Sequence, residues 1–508
     1  MIKFLLSSFI CVNLVSSAKI LGYFPIPSIS HQCVFQPIWK ELSLRGHEVT
    51  VITPDPLKDP NLVNLTEIDV SFTYKDIKEY VQTNILHKST IDSLTGLYDM
   101  MRNIEEDILK HEKVQQLLND DDKHFDLVIM ELFTTIGFGF GSKYKAPVVG
   151  VTSLNGYIQI HESLGNPIHP ALYAECFSTL GGDMTFFERL QNTAFFVWFK
   201  IYHHYYNNPR HDAIARKYFG EDMPYIGDLE KNISFALINT NAVMDYVKAN
   251  VPAVIEIGQM HIKPPKPLPK DIGDYLDNSK REVIYFSLGS NVKSSTAPEN
   301  FLDTVKVAIT ELPYNFIWKW EDDHMPNKPD NVFLKKWLPQ QDILRHPKIK
   351  GFITQGGIQS MEEAVTNGVP LVVFPFFGDQ PYNARRMVYM GIGSKLDYTS
   401  FTKEDFKNAV NEIVKNPMYK HNVKKYQSLI KDQPMTGLEK AVWWIEFTIR
   451  HKGDFNLKSN LAYLPYYKYF MLDIILFVLI LVVILSVVIA KLFKLFFYNY
   501  KSKKEKSS

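Results

Sequence analysis

Cysteine is scarce: there are three in 508 residues, and Cys11 falls in an N-terminal apolar leader, which leaves Cys33 and Cys176. A scaffold built on a disulfide framework is therefore excluded. The remaining two either form a single bond in an oxidising compartment or stay as small unpaired thiols, and both alternatives stand at this level. Charge of one sign is lacking too. With 56 Lys and Arg against 55 Asp and Glu, the net charge of +1 leaves no electrostatic footprint for nucleic acid. There is no internal repeat and no extended low-complexity tract, which sets aside solenoids and largely disordered chains.

Two apolar runs stand at the chain ends. Residues 1–18, MIKFLLSSFICVNLVSSA, place Lys3 ahead of an apolar stretch and Ser16 and Ala18 before a cleavage point, the pattern of a secretory signal. The second run, Ile474 to Ala490 inside a 466–492 segment, is uncharged between Asp473 and Lys491 and is just long enough to cross a bilayer. Tyr466, Tyr467 and Tyr469 suit one membrane interface. Lys491, Lys494, Lys501, Lys503, Lys504 and Lys506 follow, which assigns residues 493–508 to a basic cytosolic tail. The closing KEKSS resembles the dilysine retrieval signal of endoplasmic-reticulum membrane proteins, although ordinary positive-inside bias would supply the same lysines.

A chain of 508 residues exceeds one ordinary core, and 46% hydrophobic with 13% aromatic residues allows large cores and an apolar cavity. Lys19 to Phe24 reads as a strand, Ser30 to Leu44 as a helix stopped by Gly46, and Glu48 to Thr53 as the next strand, a βαβ beginning. Phe125 to Met130 and Pro147 to Val151 are apolar apart from Asp126, as parallel strands covered on both faces should be. KPPKPLPK, from Lys263 to Lys270, interrupts the pattern as a linker would. Val283 to Leu288 then opens a second α/β unit, with a helix near Pro298 to Leu312 and a strand at Asn315 to Trp320. The expected architecture is α/β, two doubly wound domains facing a cleft: residues 19–262, a linker at 263–280, and residues 281–465.

The richest segment is Trp337 to Gln380, WLPQQDILRHPKIKGFITQGGIQSMEEAVTNGVPLVVFPFFGDQ. Ile349 to Thr354 reads as a buried strand, Gly356-Gly357 as a turn allowing close backbone approach, and Ile358 to Thr366 as a helix stopped by Asn367-Gly368. A diphosphate fits at that helix start, where unpaired N–H groups and the positive dipole end favour an anion without a P-loop lysine.

WLPQQ, the small-residue turn, the helix glutamate and the terminal GDQ occur here in an order that closely resembles the donor-binding signature of the UDP-glycosyltransferases, and the resemblance extends from about Lys19 to the tail. It implies the GT-B architecture, an acceptor-binding N-terminal half, a UDP-sugar-binding C-terminal half, and a helix at Gly437 to Arg450 packing back near the first domain. It assigns Trp337 to stacking on uracil, Gln340 to the base or ribose, Glu363 to the ribose hydroxyls, and Asp379 and Gln380 to the sugar hydroxyls. Ser290, in the turn after the Val283 strand, is either a phosphate donor or a solvated loop serine. Two residues of this segment depart from the pattern. Gln355 stands where many members have histidine, so it donates to the diphosphate without charge, and Gln359 replaces a frequent asparagine.

Sugar transfer needs a base for the acceptor hydroxyl. His31 occupies the family's catalytic place after the first strand, where a capping serine in Ser28-Ile29-Ser30 and the helix dipole favour neutral imidazole. Glu131, at the end of the Phe125 strand, stands where the family has aspartate; it either orients His31 through a longer arm or merely rims the cleft. Asp120-Asp121-Asp122 reads as a solvated turn and His203-His204 as aromatic packing, so no metal site is expected. Asn64 and Asn232 head glycosylation sequons, used or unused. The expectation is a membrane-bound, inverting UDP-glycosyltransferase of the endoplasmic reticulum that needs only its nucleotide-sugar co-substrate, acts on a small lipophilic hydroxyl acceptor, and works alone or in a homo- or hetero-oligomer. UDP-glucose is favoured over UDP-glucuronate as donor. A catalytically silent lipophile-binding or regulatory member is the reading from another class.

Overall fold

In the computed structural model, residues 17–77, 80 and 89–505 are described, with no side-chain detail from 500 onward. The proposed signal therefore lies outside the described residues apart from Ser17 and Ala18, as does Lys506 of the retrieval motif. Lys19–Tyr23 (β1), Glu48–Thr53 (β2), Leu65–Asp69 (β3), Leu127–Glu131 (β4), Val148–Thr152 (β5), Ala236–Ile238 (β6) and Val254–Glu256 (β7) form one parallel sheet, ordered β3-β2-β1-β4-β5-β6-β7. Val283–Ser287 (β8), Asn315–Lys319 (β9), Val332–Lys335 (β10), Ile349–Thr354 (β11), Leu371–Val373 (β12) and Gly393–Lys395 (β13) form a second, ordered β10-β9-β8-β11-β12-β13. All pairings are parallel, and the central strands are buried along their length, which is why they are apolar runs rather than alternating ones.

Strand order reverses between β1 and β4 in the first sheet and between β8 and β11 in the second. Loops leaving the carboxyl ends of those strand pairs diverge to opposite faces and open a crevice. Each lobe thus presents its switch point to ligand: the loops after β1 and β4 in one, those after β8 and β11 in the other.

The proposed linker at 263–280 ends sooner than the sequence suggests. Lys270–Asn278 is a helix whose Ile272 and Leu276 are buried in the second lobe's core, so only the proline-rich stretch before it is irregular. The helix Gly437–His451 packs against the helix Ile29–Leu44: Ala441, Val442 and Ile445 join the first lobe's core, and Glu446 pairs with Arg45 at 3.2 Å. Chain from the second lobe's side thereby completes the first. Cys33 and Cys176 are both free thiols, which settles the alternative left by the sequence.

The chain beyond Lys458 forms a separate unit. Its helix Leu472–Glu505 runs past both ends of the proposed Ile474–Ala490 span, and no break separates the basic tail from it. Leu472–Asn499 is 28 residues long and includes an 18-residue stretch of mean hydropathy 3.4, none of it buried, so it is long and apolar enough to cross a membrane. At about 1.5 Å per residue it exceeds a bilayer's ~30 Å hydrocarbon core. Leu492, Phe493, Leu495 and Phe496 carry the apolar surface beyond Lys491 and Lys494, whose long stems permit this by reaching back toward an interface.

Candidate active site

Strand β1 aligns with β4 so that Tyr23 sits beside Met130, and the next residue of β4, Glu131, lies against the loop that leads from β1 into the first helix. That loop is held by Gln32, a buried amide that donates to the carbonyls of Phe24 (3.3 Å) and Ile26 (2.8 Å) and accepts from the Thr53 hydroxyl (2.9 Å). His31 is presented by this brace. Its Nδ1 lies 2.7 Å from Glu131 Oε1, and the Ile26 N–H donates to Glu131 Oε2 at 3.4 Å. Burial pushes the Glu131 carboxyl upward, against the hydrogen bond and charge of His31. The longer arm of glutamate therefore reaches the ring. With Nδ1 engaged, Nε2 is the nitrogen left for the cleft that His31 lines.

One expectation at this helix start is not met. Ser28 is the N-cap, with extended backbone, but its side chain caps nothing. Its hydroxyl turns instead to Ser30 Oγ (3.0 Å) and, across the cleft, to the Asn291 amide (3.2 Å). A contact between lobes outcompetes the local cap.

On the opposite wall, Gly289 (φ +86°) and Gly356 (φ +89°) occupy left-handed backbone, and Gly357 is the N-cap of helix Ile358–Thr366. A Cβ on Gly289 would meet the Gln355 amide, the movable end of a side chain, so it is the left-handed backbone that calls for glycine in the loop after β8. Gln355 Oε1 accepts from the Thr354 hydroxyl at 3.0 Å, which turns the amide nitrogen toward Gly289. Gln359 spans the lobes, donating to the Ser153 carbonyl at 2.9 Å. Glu363 is prepared as an acceptor: Gln340 donates to its Oε2 at 2.7 Å and Gln341 to its Oε1 at 3.0 Å, while Gln340 Oε1 accepts from Tyr285 at 3.0 Å. Asp379 accepts from Asn383 at 2.6 Å, and burial raises its carboxyl while nearby His31 lowers it. Gln380 spends its carbonyl oxygen on the N–H groups of Phe376 (2.8 Å) and Phe377 (3.2 Å), which leaves only its amide nitrogen for a ligand.

A single cleft of about 670 Å³ is lined by His31, Ser290, Trp337, Gln340, Gln355, Gly357, Gln359, Glu363, Asp379 and Gln380. Glu131 stands behind His31, and Gly356 sits beneath the turn. Trp337 is 63% exposed, its face open to a planar ligand. Lys319, which motif reading passed over, stands beneath it, with Nζ 5.7 Å from the ring centroid and bonded to the Gly289 carbonyl (2.8 Å) and to Glu321 (2.9 Å). The first lobe adds the apolar side chains of Ile26, Leu97, Met101, Phe133, Leu154 and Phe177. Asn64 and Asn232 are both exposed, at the entry to β3 and at the end of helix Ile226–Lys231. Asp120 to Asp122 form an exposed turn, and His203 is paired with Glu230 at 3.0 Å within an aromatic stack.

Two facing parallel-sheet lobes with this cleft define a GT-B glycosyltransferase, and comparison with known proteins names the family. The profile described as "UDP-glucoronosyl and UDP-glucosyl transferase" matches residues 19–507, and the chain belongs to that family. It is 36% identical to UDP-glucosyltransferase 2 of Dactylopius coccus, over 91% of this chain and 89% of that protein. It is 30% identical to UDP-glucuronosyltransferase 2B17 of Mus musculus, over 92% and 90%. The solved glycotransferase of kitacinnamycin superposes with a TM-score of 0.56 at 18% identity, over 85% of this chain and 99% of that one, a likeness of fold. The protein is thus a UDP-glycosyltransferase.

Proposed function

We propose that this enzyme transfers glucose from UDP-glucose, with inversion at the anomeric carbon, to the hydroxyl of a small lipophilic alcohol or phenol, as in conjugation or detoxification. The observation that carries this is the 2.7 Å bond between His31 and Glu131 on the wall of the cleft that also holds the diglycine turn. His31 Nε2 takes the acceptor proton as the oxygen attacks C1. The bond from C1 to the β-phosphate oxygen breaks, and UDP leaves with the electron pair. Glu131 balances the imidazolium, and the N–H groups at the start of helix Ile358–Thr366 face the departing phosphates. Gln355 adds a neutral donor there. The base stacks on Trp337, Gln340 and Glu363 serve the base and ribose, Ser290 the phosphate, and Asp379 with the Gln380 amide the sugar hydroxyls. No cofactor beyond the co-substrate is proposed.

The name of the Dactylopius relative supports glucose as the sugar transferred. The leader, the exposed sequons and the apolar helix support a single-pass protein of the endoplasmic reticulum with luminal lobes and a cytosolic basic tail. Purified full-length protein given UDP-glucose, UDP-glucuronate and a panel of phenols should yield mainly β-glucosides, read from the anomeric proton coupling. Dominant glucuronosyl transfer would overturn the donor, and absent turnover despite UDP binding would overturn the function.

A further inference from the structure

His261 precedes the proline-rich linker and is buried, with 1% of its side chain exposed, in the wall of the cleft. Its ring reaches from the first lobe onto helix Ile358–Thr366 of the second. Nε2 bonds the Gln359 carbonyl at 3.2 Å and lies 3.5 Å from Glu363 Oε1; Nδ1 lies 3.5 Å from Glu362 Oε2. We infer that His261 is a positioning residue for donor binding, its ring set between Glu362 and Glu363 so that the Glu363 carboxylate is held turned toward the ribose.

Donor counting on Glu363 leads there. An ionised carboxylate offers about four lone-pair directions. Gln340 takes one on Oε2 and Gln341 one on Oε1, which leaves one on each oxygen for the two ribose hydroxyls. Such an acceptor works only while its orientation is held, and Glu363 directly follows a second buried carboxylate, Glu362, in the helix. Glu362 is fixed by the Gln259 N–H (3.0 Å) and the Asn239 amide (3.3 Å), and burial raises its carboxyl to about 7 although the nearby His261 lowers it. Arg345 lines the cleft but is turned to Asp342 and the Lys263 carbonyl. The His261 ring is the group that reaches both carboxylates. Burial works against a charged ring, yet Glu363, Glu362 and the Gln359 carbonyl outweigh it and raise the imidazole's proton affinity. The His261 carbonyl also accepts from Gln341 at 3.0 Å, so ring and backbone of one residue brace both sides of Glu363.

The inference rests on the reading of Glu363 as the ribose partner, and the test separates the two. The probe is UDP alone, titrated by calorimetry into full-length protein in detergent, so neither the sugar nor the acceptor need be known. Glu363→Gln and His261→Gln should each weaken UDP binding about tenfold, the scale of one hydrogen bond to a charged group. The double variant should lose little more than either alone, because both act through one contact. In turnover, His261→Gln should raise the donor KM and leave kcat within about twofold, since the ring does not touch the reacting atoms. His261→Asn, which withdraws the amide from Glu363, should behave alike and serves if the glutamine variant folds poorly. UDP binding undiminished in Glu363→Gln would overturn the ribose reading and the inference with it. Loss in Glu363→Gln but none in His261→Gln or His261→Asn, or full additivity in the double variant, would overturn the inference alone.

Discussion

Replacing Glu131 by glutamine removes one charge and almost nothing else, because the side chain is 2% exposed and a carboxamide fills the same volume. In the free enzyme the 2.7 Å bond to His31 survives as a neutral one, because the carboxamide oxygen still accepts from Nδ1–H. In the transition state the loss is larger, because His31 becomes a cation and its counter-charge has gone. A charge-assisted hydrogen bond contributes about 1.5–3 kcal/mol, and the Coulombic support of a forming imidazolium adds to it, giving roughly 2–4 kcal/mol. At about 1.4 kcal/mol per decade, kcat should fall roughly 30- to 1000-fold. Donor KM should stay level, since Glu131 stands behind His31 and does not line the cleft. The assay is initial-rate UDP release by purified full-length protein, with UDP binding measured alongside. A kcat within about threefold of the unmodified enzyme would refute the dyad and return Glu131 to a cleft-rim role.

Three further outcomes follow from the same geometry. Trp337→Ala should weaken UDP binding by about 1–3 kcal/mol, the scale of a base stacked on an aromatic ring; the melting temperature should hold, because the side chain is 63% exposed. Gly289→Ala forces a side chain into left-handed backbone at φ +86° and onto the Gln355 amide; stability should drop by about 1–3 kcal/mol and donor KM rise about tenfold. Glu105 is fully buried, and burial first of all holds its carboxyl up at about 8 against an ordinary 4.5. The folded state therefore binds the proton more tightly than the unfolded one. Its stabilisation is complete below about 4.5 and is lost as pH rises through about 8. Glu105→Gln should melt like the unmodified protein at pH ~5 and above it at pH ~8, by several kcal/mol to order of magnitude; equal melting at both would refute that environment.

What could be read from residues alone was what local chemistry decides. Strands β1, β8 and β11 are mainly apolar rather than alternating, with Lys19 at the start of β1 and Lys350 near the start of β11 as exceptions, because both faces are covered; their place in parallel sheets was visible before any contact was known. The diglycine turn and the helix stopped by Asn367-Gly368 rest on backbone rules and fell where those rules put them. Contacts between distant segments were not readable. Ser28 has the right identity and place for a cap, yet its hydroxyl is drawn to Asn291, 263 positions away. His261 looks like a lone histidine beside prolines until the donor helix packs on it, and the role of Gln32 depends on Thr53 from the next strand. The helix at Lys270–Asn278 was hidden by the prolines before it, although Ile272 and Leu276 carry its inward face. The long terminal helix exceeded expectation because Lys491 and Lys494 end the uncharged run without ending the apolar surface.

The central claim is that an imidazole held by a buried carboxylate deprotonates the acceptor. Comparing His31→Ala with the unmodified enzyme, turnover and UDP binding measured on the same preparations, tests it most directly. A general base contributes about 10²–10⁴ in rate, so turnover should fall at least a hundredfold while UDP binds as before; undiminished turnover in His31→Ala would contradict the account.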